Sequence, residues 1–226
     1  MRPLTLAVTA SVLMLVTLYA AEPAPLPLVA VNWLALALIG WWRPVALLAL
    51  IAATLPLYHQ PLDLASATFA PSELLLGALL PGSAVIFLRQ LRLAGRTGIL
   101  DTLTRQGIAR IAPPAFLLGV AAFALLGLAG FTLLLAVNDV DARAAGLREW
   151  RWTLAEPLAF VVLLLLHARN RGARTLIAGG FAAGVLGAAV WGLLDGVLGQ
   201  GVSAGGVLRV DGPFPHPNAY ALYLLR

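Results

Sequence analysis

Apolar runs of about 18 residues or more recur along this chain, and that feature leaves it few ways to fold. Such a run crosses the hydrocarbon of a bilayer, where no water is present to bond open N–H and C=O groups. A spanning segment must then satisfy its backbone internally, as a helix or within a closed barrel. Barrel strands alternate lipid-facing and lumen-facing residues, whereas these runs are continuous. The expected class is all-α: a polytopic transmembrane helical bundle, one domain over residues 1–226. A composition of 61% hydrophobic and 11% charged residues agrees with it.

Hydropathy places spans at Leu4–Ala21, Pro25–Trp42, Pro44–Tyr58, Pro71–Leu88, Ala112–Val137, Trp152–His167 and Thr175–Leu198, with an eighth beginning near Ala219. That is about seven spans and the start of another. The third is short and crosses the membrane poorly on length alone. Prolines open several spans, where a missing N–H costs least. Trp41 and Trp42 close one, as interfacial aromatics do. Arg2, an apolar stretch and the small residues Ala20 and Ala21 also fit a secretory signal. With so many spans following, an uncleaved first helix is the expectation.

The formal charge of +5 is not a nucleic-acid signal, because the basic residues, all arginines, lie between spans. Arg2, Arg43, the group Arg89, Arg92, Arg96, Arg105 and Arg110, and the group Arg169, Arg171 and Arg174 fall in alternate loops. The loops between them carry Glu22, Asp63 and Glu73 instead. The positive-inside rule puts the basic loops and the N-terminus in the cytoplasm. Arg89–Arg110 reads as a basic, partly amphipathic surface helix drawn to anionic lipid. Without cysteines, the chain has no disulfide framework, thiol nucleophile or cysteine metal site.

Two outer loops break the alternation. One holds Arg143, Arg148 and Arg151 beside Asp139, Asp141 and Glu149; the other holds Arg209. Arginines on that side oppose the topology signal, and an anionic ligand is one reason to keep them there. An interfacial salt-bridge cluster is the other reading, and such surface pairs contribute little. The seventh span repeats Gly180, Gly184, Ala188, Gly192 and Gly196, a smooth ridge that reads as helix packing. Asp195, near its outer end, is expected to reach headgroup water. Gly199 to Gly206 reads as a glycine-rich loop too short to fold alone. His59 and His167 are interfacial singletons, and no metal site is evident.

The polar stretch Leu208–Arg226, "LRVDGPFPHPNAYALYLLR", carries the turn dipeptides Gly212-Pro213 and His216-Pro217. Asn218 is placed to cap a helix from Ala219. A helix N-terminus and Arg209 upstream together suit a phosphate. His216 reads as a polar turn residue, with a role as base the alternative. This stretch resembles the motif of the O-antigen ligase and O-antigen polymerase superfamily, in which an arginine, a glycine, an aromatic and an HPN or NPN element precede a span. Arg209, Gly212, Phe214, Pro217, Asn218 and Ala221 match. "LREWRWTLAEPLAFVVLLLL", Leu147–Leu166, resembles the family's arginine before a proline-started span, with Arg148 or Arg151 as the matching residue.

The resemblance implies a membrane glycosyltransferase that takes a glycan from undecaprenyl diphosphate at the outer face of the bacterial inner membrane. The acceptor would be lipid A core, a growing polysaccharide or a protein hydroxyl. No cofactor or metal is implied, and the partners are donor, acceptor and membrane lipids. Arg209 and one of Arg148 and Arg151 would hold the diphosphate, with a base deprotonating the acceptor. The family's proposed catalytic histidine lies in a later outer loop, so residues 1–226 are expected to be an amino-terminal part, inactive alone. The alternative is a non-catalytic transporter or membrane scaffold.

Overall fold

A computed structural model describes residues 2–20, 25–60, 62–64, 67–94, 114–204 and 207–225. Arg96, Arg105 and Arg110 of the expected surface helix lie outside the described residues. The chain is all-α in character, with two small hairpins. Its contacts form two compact units, residues 1–82 with 171–226 and residues 83–170.

The first unit is built on α1 (Arg2–Ala20), α2 (Leu26–Trp42), α3 (Pro44–Thr54) with its 3-10 extension Leu55–His59, the first part of α4 (Pro71–Ala94), and α8 (Arg171–Leu198). Each of α2, α3 and α4 has proline within its first two positions, where no intrahelical N–H is lost. At the start of α4, Glu73 accepts a hydrogen bond from the Ala70 N–H at 2.6 Å, which satisfies one orphan donor of that end.

α3 is the centre of this unit. Leu47, Leu48 and Ile51 are buried, and Ala46, Ala49 and Ala52 with them. A helix apolar on every side belongs inside protein. The ridge on α8 lies against it: a Cβ on Gly180 would overlap the Ala49 carbonyl, and one on Gly184 would stand 2.7 Å from the Ala53 oxygen. These contacts advance together, so α3 and α8 run the same way. A Cβ on Gly77 would lie 3.4 Å from Trp33, and one on Gly82 would lie 3.2 Å from Trp41, so α2 and α4 also run parallel.

The hairpin of β1 (Leu62–Leu64) and β2 (Ala67–Phe69), paired antiparallel, closes one end. There Leu62 clusters with Leu18 at the end of α1 and Leu74 near the start of α4, with Leu28, Val29 and Phe69 packed around them. Thus α1, α3 and α8 point towards the hairpin end, and α2 and α4 point away. Arg43, Arg171 and Arg174 gather at the opposite end.

In the second unit, α5 (Pro114–Leu135) turns back through Asn138 into α6 (Val140–Trp150). A π-helical segment, Arg151–Ala155, follows, and then α7 (Glu156–His167). These three form one uninterrupted helix over 140–167. The expected outer loop around Arg143, Arg148 and Arg151 is therefore corrected: it is helix. Asp139 caps it, accepting from the N–H groups of Asp141 and Ala142 at 2.9 and 3.1 Å. Behind that cap stand the helix formers Ala142, Ala144, Ala145 and Leu147, which hydropathy does not register. Asp139→Ala should destabilise this unit by about 1 kcal/mol, read as a lowered unfolding midpoint in detergent.

The indole N–H of Trp150 donates to the Gly127 oxygen at 2.7 Å, and its ring lies 4.9 Å from Phe131. A Cβ on Gly146 would overlap Leu134. The charged helix thus lies along the last third of α5.

Among the described residues four helical stretches are long and apolar enough to cross a membrane: Pro71–Arg89, Ala115–Leu135, Val140–His167 and Arg171–Leu198. The apolar stretches of α1, α2 and α3 are shorter. Leu118, Leu125, Leu126 and Leu133 of α5 and Leu186, Leu193 and Val197 of α8 are all exposed. Faces this apolar and this extensive are not stable against water. The chain is a helical membrane protein.

Candidate functional site

The terminal motif forms a folded turn fixed to α8. After α8 comes a second antiparallel hairpin, β3 (Val202–Ala204) with β4 (Val207–Arg209), where a glycine-rich loop was expected. Gly201 permits it: its φ is +131°, and a Cβ there would stand 2.6 Å from the Arg209 oxygen. Arg209 ends β4 opposite Val202 and is exposed. It lies at the hairpin end of the first unit, away from Arg43, Arg171 and Arg174.

Gly212 then turns the chain at φ +54°, with the Tyr220 ring 3.1 Å from where a Cβ would be. Pro213 is buried. Phe214 stands 6.0 Å from the Tyr220 ring and 5.1 Å from that of Tyr223. Tyr220 itself is only 7% exposed. Its hydroxyl donates to the Ala188 oxygen at 3.1 Å, and its ring occupies the space left by the missing side chain of Gly192. The ridge on α8 therefore receives α3 at Gly180 and Gly184 and the terminal turn at Ala188 and Gly192. Tyr220 is the residue that sequence reasoning missed, although its place eight residues after Gly212 lies inside the motif.

The short helix α9 spans Pro217–Leu224, so Pro217 is its first helical residue. This corrects the expected cap. His216, not Asn218, is at the N-cap, in extended backbone (φ −146°, ψ 141°), and its side chain makes no capping bond. Proline is pre-set for the first helical position, so the helix starts there and not at Ala219. His216 and Asn218 are both exposed. Asp195 is only 8% exposed, so the expectation that it reaches headgroup water is also corrected. Its helix face is the one carrying Ala188 and Gly192, and the returning segment covers it.

In the second unit, Arg148 is exposed in the last turn of α6. Arg151 begins the π segment and pairs with Glu156 at 3.6 Å, their side chains being 41% and 15% exposed. The Glu156 N–H bonds to the Arg151 oxygen, an i to i+5 closure that brings these two residues onto one face. Pro157 supplies the cause, since it has no N–H to give the Thr153 carbonyl and its ring crowds that turn. Arg151 also lies 5.8 Å from the Trp152 ring. His167, expected to be alone, has its Nε2 2.9 Å from the Ser83 hydroxyl. Among the described residues no three His, Asp or Glu side chains group closely enough to hold a metal ion.

The structure thus brings Gly212, Phe214 and Pro217 into one turn with Arg209 at its entrance. Arg148 and Arg151 belong to the other unit. No family model matches the chain, and no curated protein or solved structure shows significant similarity to it.

Proposed function

We propose that the chain belongs to a membrane glycosyltransferase of the O-antigen ligase and polymerase kind. The enzyme passes a glycan from undecaprenyl diphosphate to lipid A core, a growing polysaccharide or another hydroxyl-bearing acceptor. Seven spans and the start of an eighth carry the chain across the bacterial inner membrane with the N-terminus in the cytoplasm. The observation that carries the reading is Arg209: exposed, set on a pinned turn, at the end of its unit remote from Arg43, Arg171 and Arg174. Positive-inside logic assigns those others to the cytoplasm and leaves Arg209 on the far side.

Arg209 in the first unit and Arg148 in the second are each a candidate guanidinium group for the diphosphate of the donor. They neutralise charge as the bond from the anomeric carbon to the diphosphate oxygen breaks. The acceptor oxygen forms the new bond at that carbon and gives its proton to a base. His216 is not that base; it stays a turn residue at the head of α9. Arg148 is preferred over Arg151 because Glu156 already engages the latter. Transport of a lipid-linked glycan without transfer is the second reading, favoured by the Arg151–Glu156 pair within a spanning helix, since ionisable groups there mark transport paths.

The test is glycan transfer in cells by the whole enzyme that contains this chain. Arg209→Ala and Arg148→Ala should each lower it by about tenfold or more at unchanged protein level, the loss expected for a charged hydrogen bond. Wild-type transfer in both variants would remove the reading. Loss of donor translocation with transfer chemistry intact would select transport instead.

A further inference from the structure

An open groove of about 840 Å³ runs between α1, α3 and α8 in the first unit. Val8, Val12, Leu50, Gly179 and Ala183 are among its apolar walls, and Arg171 and Thr175 stand at one end. From Arg171 to Ala183 the groove follows α8 for about 18 Å, a little over half the roughly 30 Å of bilayer hydrocarbon. A Cβ on Gly179 would meet nothing within 4 Å, so the groove is open at its middle. Its polar end carries one sign of charge. Arg43 and Arg174 lie at the same end as Arg171, and neither α1 nor α3 contains a carboxylate. The only acid on α8 is Asp195, about 36 Å along the helix.

We propose that this groove binds an anionic phospholipid from the leaflet at the arginine end. One acyl chain lies along Gly179 and Ala183, in the length that a single leaflet provides. The phosphate meets the Arg171 guanidinium, a planar fork suited to it, and Thr175, one turn deeper, donates its hydroxyl to the headgroup or ester oxygens. Basic pockets between membrane helices recognise headgroups in this way. The site rests on the membrane placement of the unit and not on glycan transfer, so each reading can fail alone.

The test uses the purified chain in bilayers containing spin-labelled phosphatidylglycerol or phosphatidylcholine with identical acyl chains. The fraction of motionally restricted lipid is counted. Wild type should prefer phosphatidylglycerol about fivefold, the worth of one arginine beside an anionic headgroup. Arg171→Gln should remove the preference, while Arg43→Gln, which takes a charge from the same end but not from the groove, should keep it. Gly179→Leu should expel both lipids from the groove with an unchanged unfolding midpoint. No preference in wild type, or equal loss in the two arginine variants, overturns the proposal. Gly179→Cys gives this cysteine-free chain a single thiol. Rapid disulfide formation between copies at low protein density would show a second chain in the groove and overturn it too.

Discussion

Gly180→Leu is expected to prevent the first unit from folding, and Gly179→Leu, one residue away, to leave it stable. The difference is geometric. A Cβ on Gly180 overlaps the backbone carbonyl of Ala49, whereas one on Gly179 opens into the groove and touches nothing. A side-chain clash can relax by a change of rotamer, but a clash with the backbone of a fully packed helix requires α3 and α8 to part. α3 has no room to move, since Leu47, Leu48 and Ile51 are buried on its other sides. Lipid is as apolar as leucine, so helices in a bilayer are held by close packing rather than by exclusion from water. Separating the pair therefore removes most of what joins them, at a cost above about 3 kcal/mol. Reversible unfolding in mixed micelles checks it. A wild-type midpoint for Gly180→Leu would mean that α3 and α8 are not in contact there.

The same ridge shows how much of the fold the sequence made legible. Small residues every four positions predict a close helix neighbour, and the structure supplies two, α3 and the terminal turn. The partners were not legible, because alanine in α3 and tyrosine at 220 carry no mark of which helix they will meet. Helix positions followed hydropathy well, with Pro25, Pro44 and Pro71 marking starts that the structure keeps within a residue. The 140–150 segment reads as a loop for a physical reason. Hydropathy measures transfer from water and not backbone conformation, so a charged helix with a good aspartate cap is invisible to it. The two hairpins, each of three-residue strands, are too short to show a period of two.

Of the candidate site, the turn around Gly212 was legible as a turn, because glycine and proline dictate backbone angles locally. What the turn packs against depends on residue 188 of another helix, which no local signal encodes. The pairing of Arg151 with Glu156 was hidden by spacing. Five residues apart on an α-helix, at about 100° each, two side chains stand about 140° from one another. Only the wide π turn ahead of Pro157 aligns them, and hydrophobic periodicity is blind to it.

That pair gives the second large effect. Glu156→Ala should destabilise the second unit by about 2 kcal/mol, less than a fully buried pair would lose because Arg151 is partly exposed. Arg151→Ala should cost a similar amount by leaving the better-buried carboxylate uncompensated. Replacing both, as Arg151→Met with Glu156→Leu, should recover most of the loss, since matched apolar side chains carry no desolvation penalty. Pro157→Ala offers an independent route: an ordinary α turn would rotate the two charges apart without deleting either. Unfolding free energies for the four variants test this, and additive single losses would show that the two residues do not interact. The double variant also separates the candidate arginines. With the fold restored, glycan transfer that persists assigns the donor phosphate to Arg148, because the competing candidate has been removed. Transfer that vanishes in a stably folded double variant assigns it to Arg151, with Glu156 holding that side chain in place until the donor arrives.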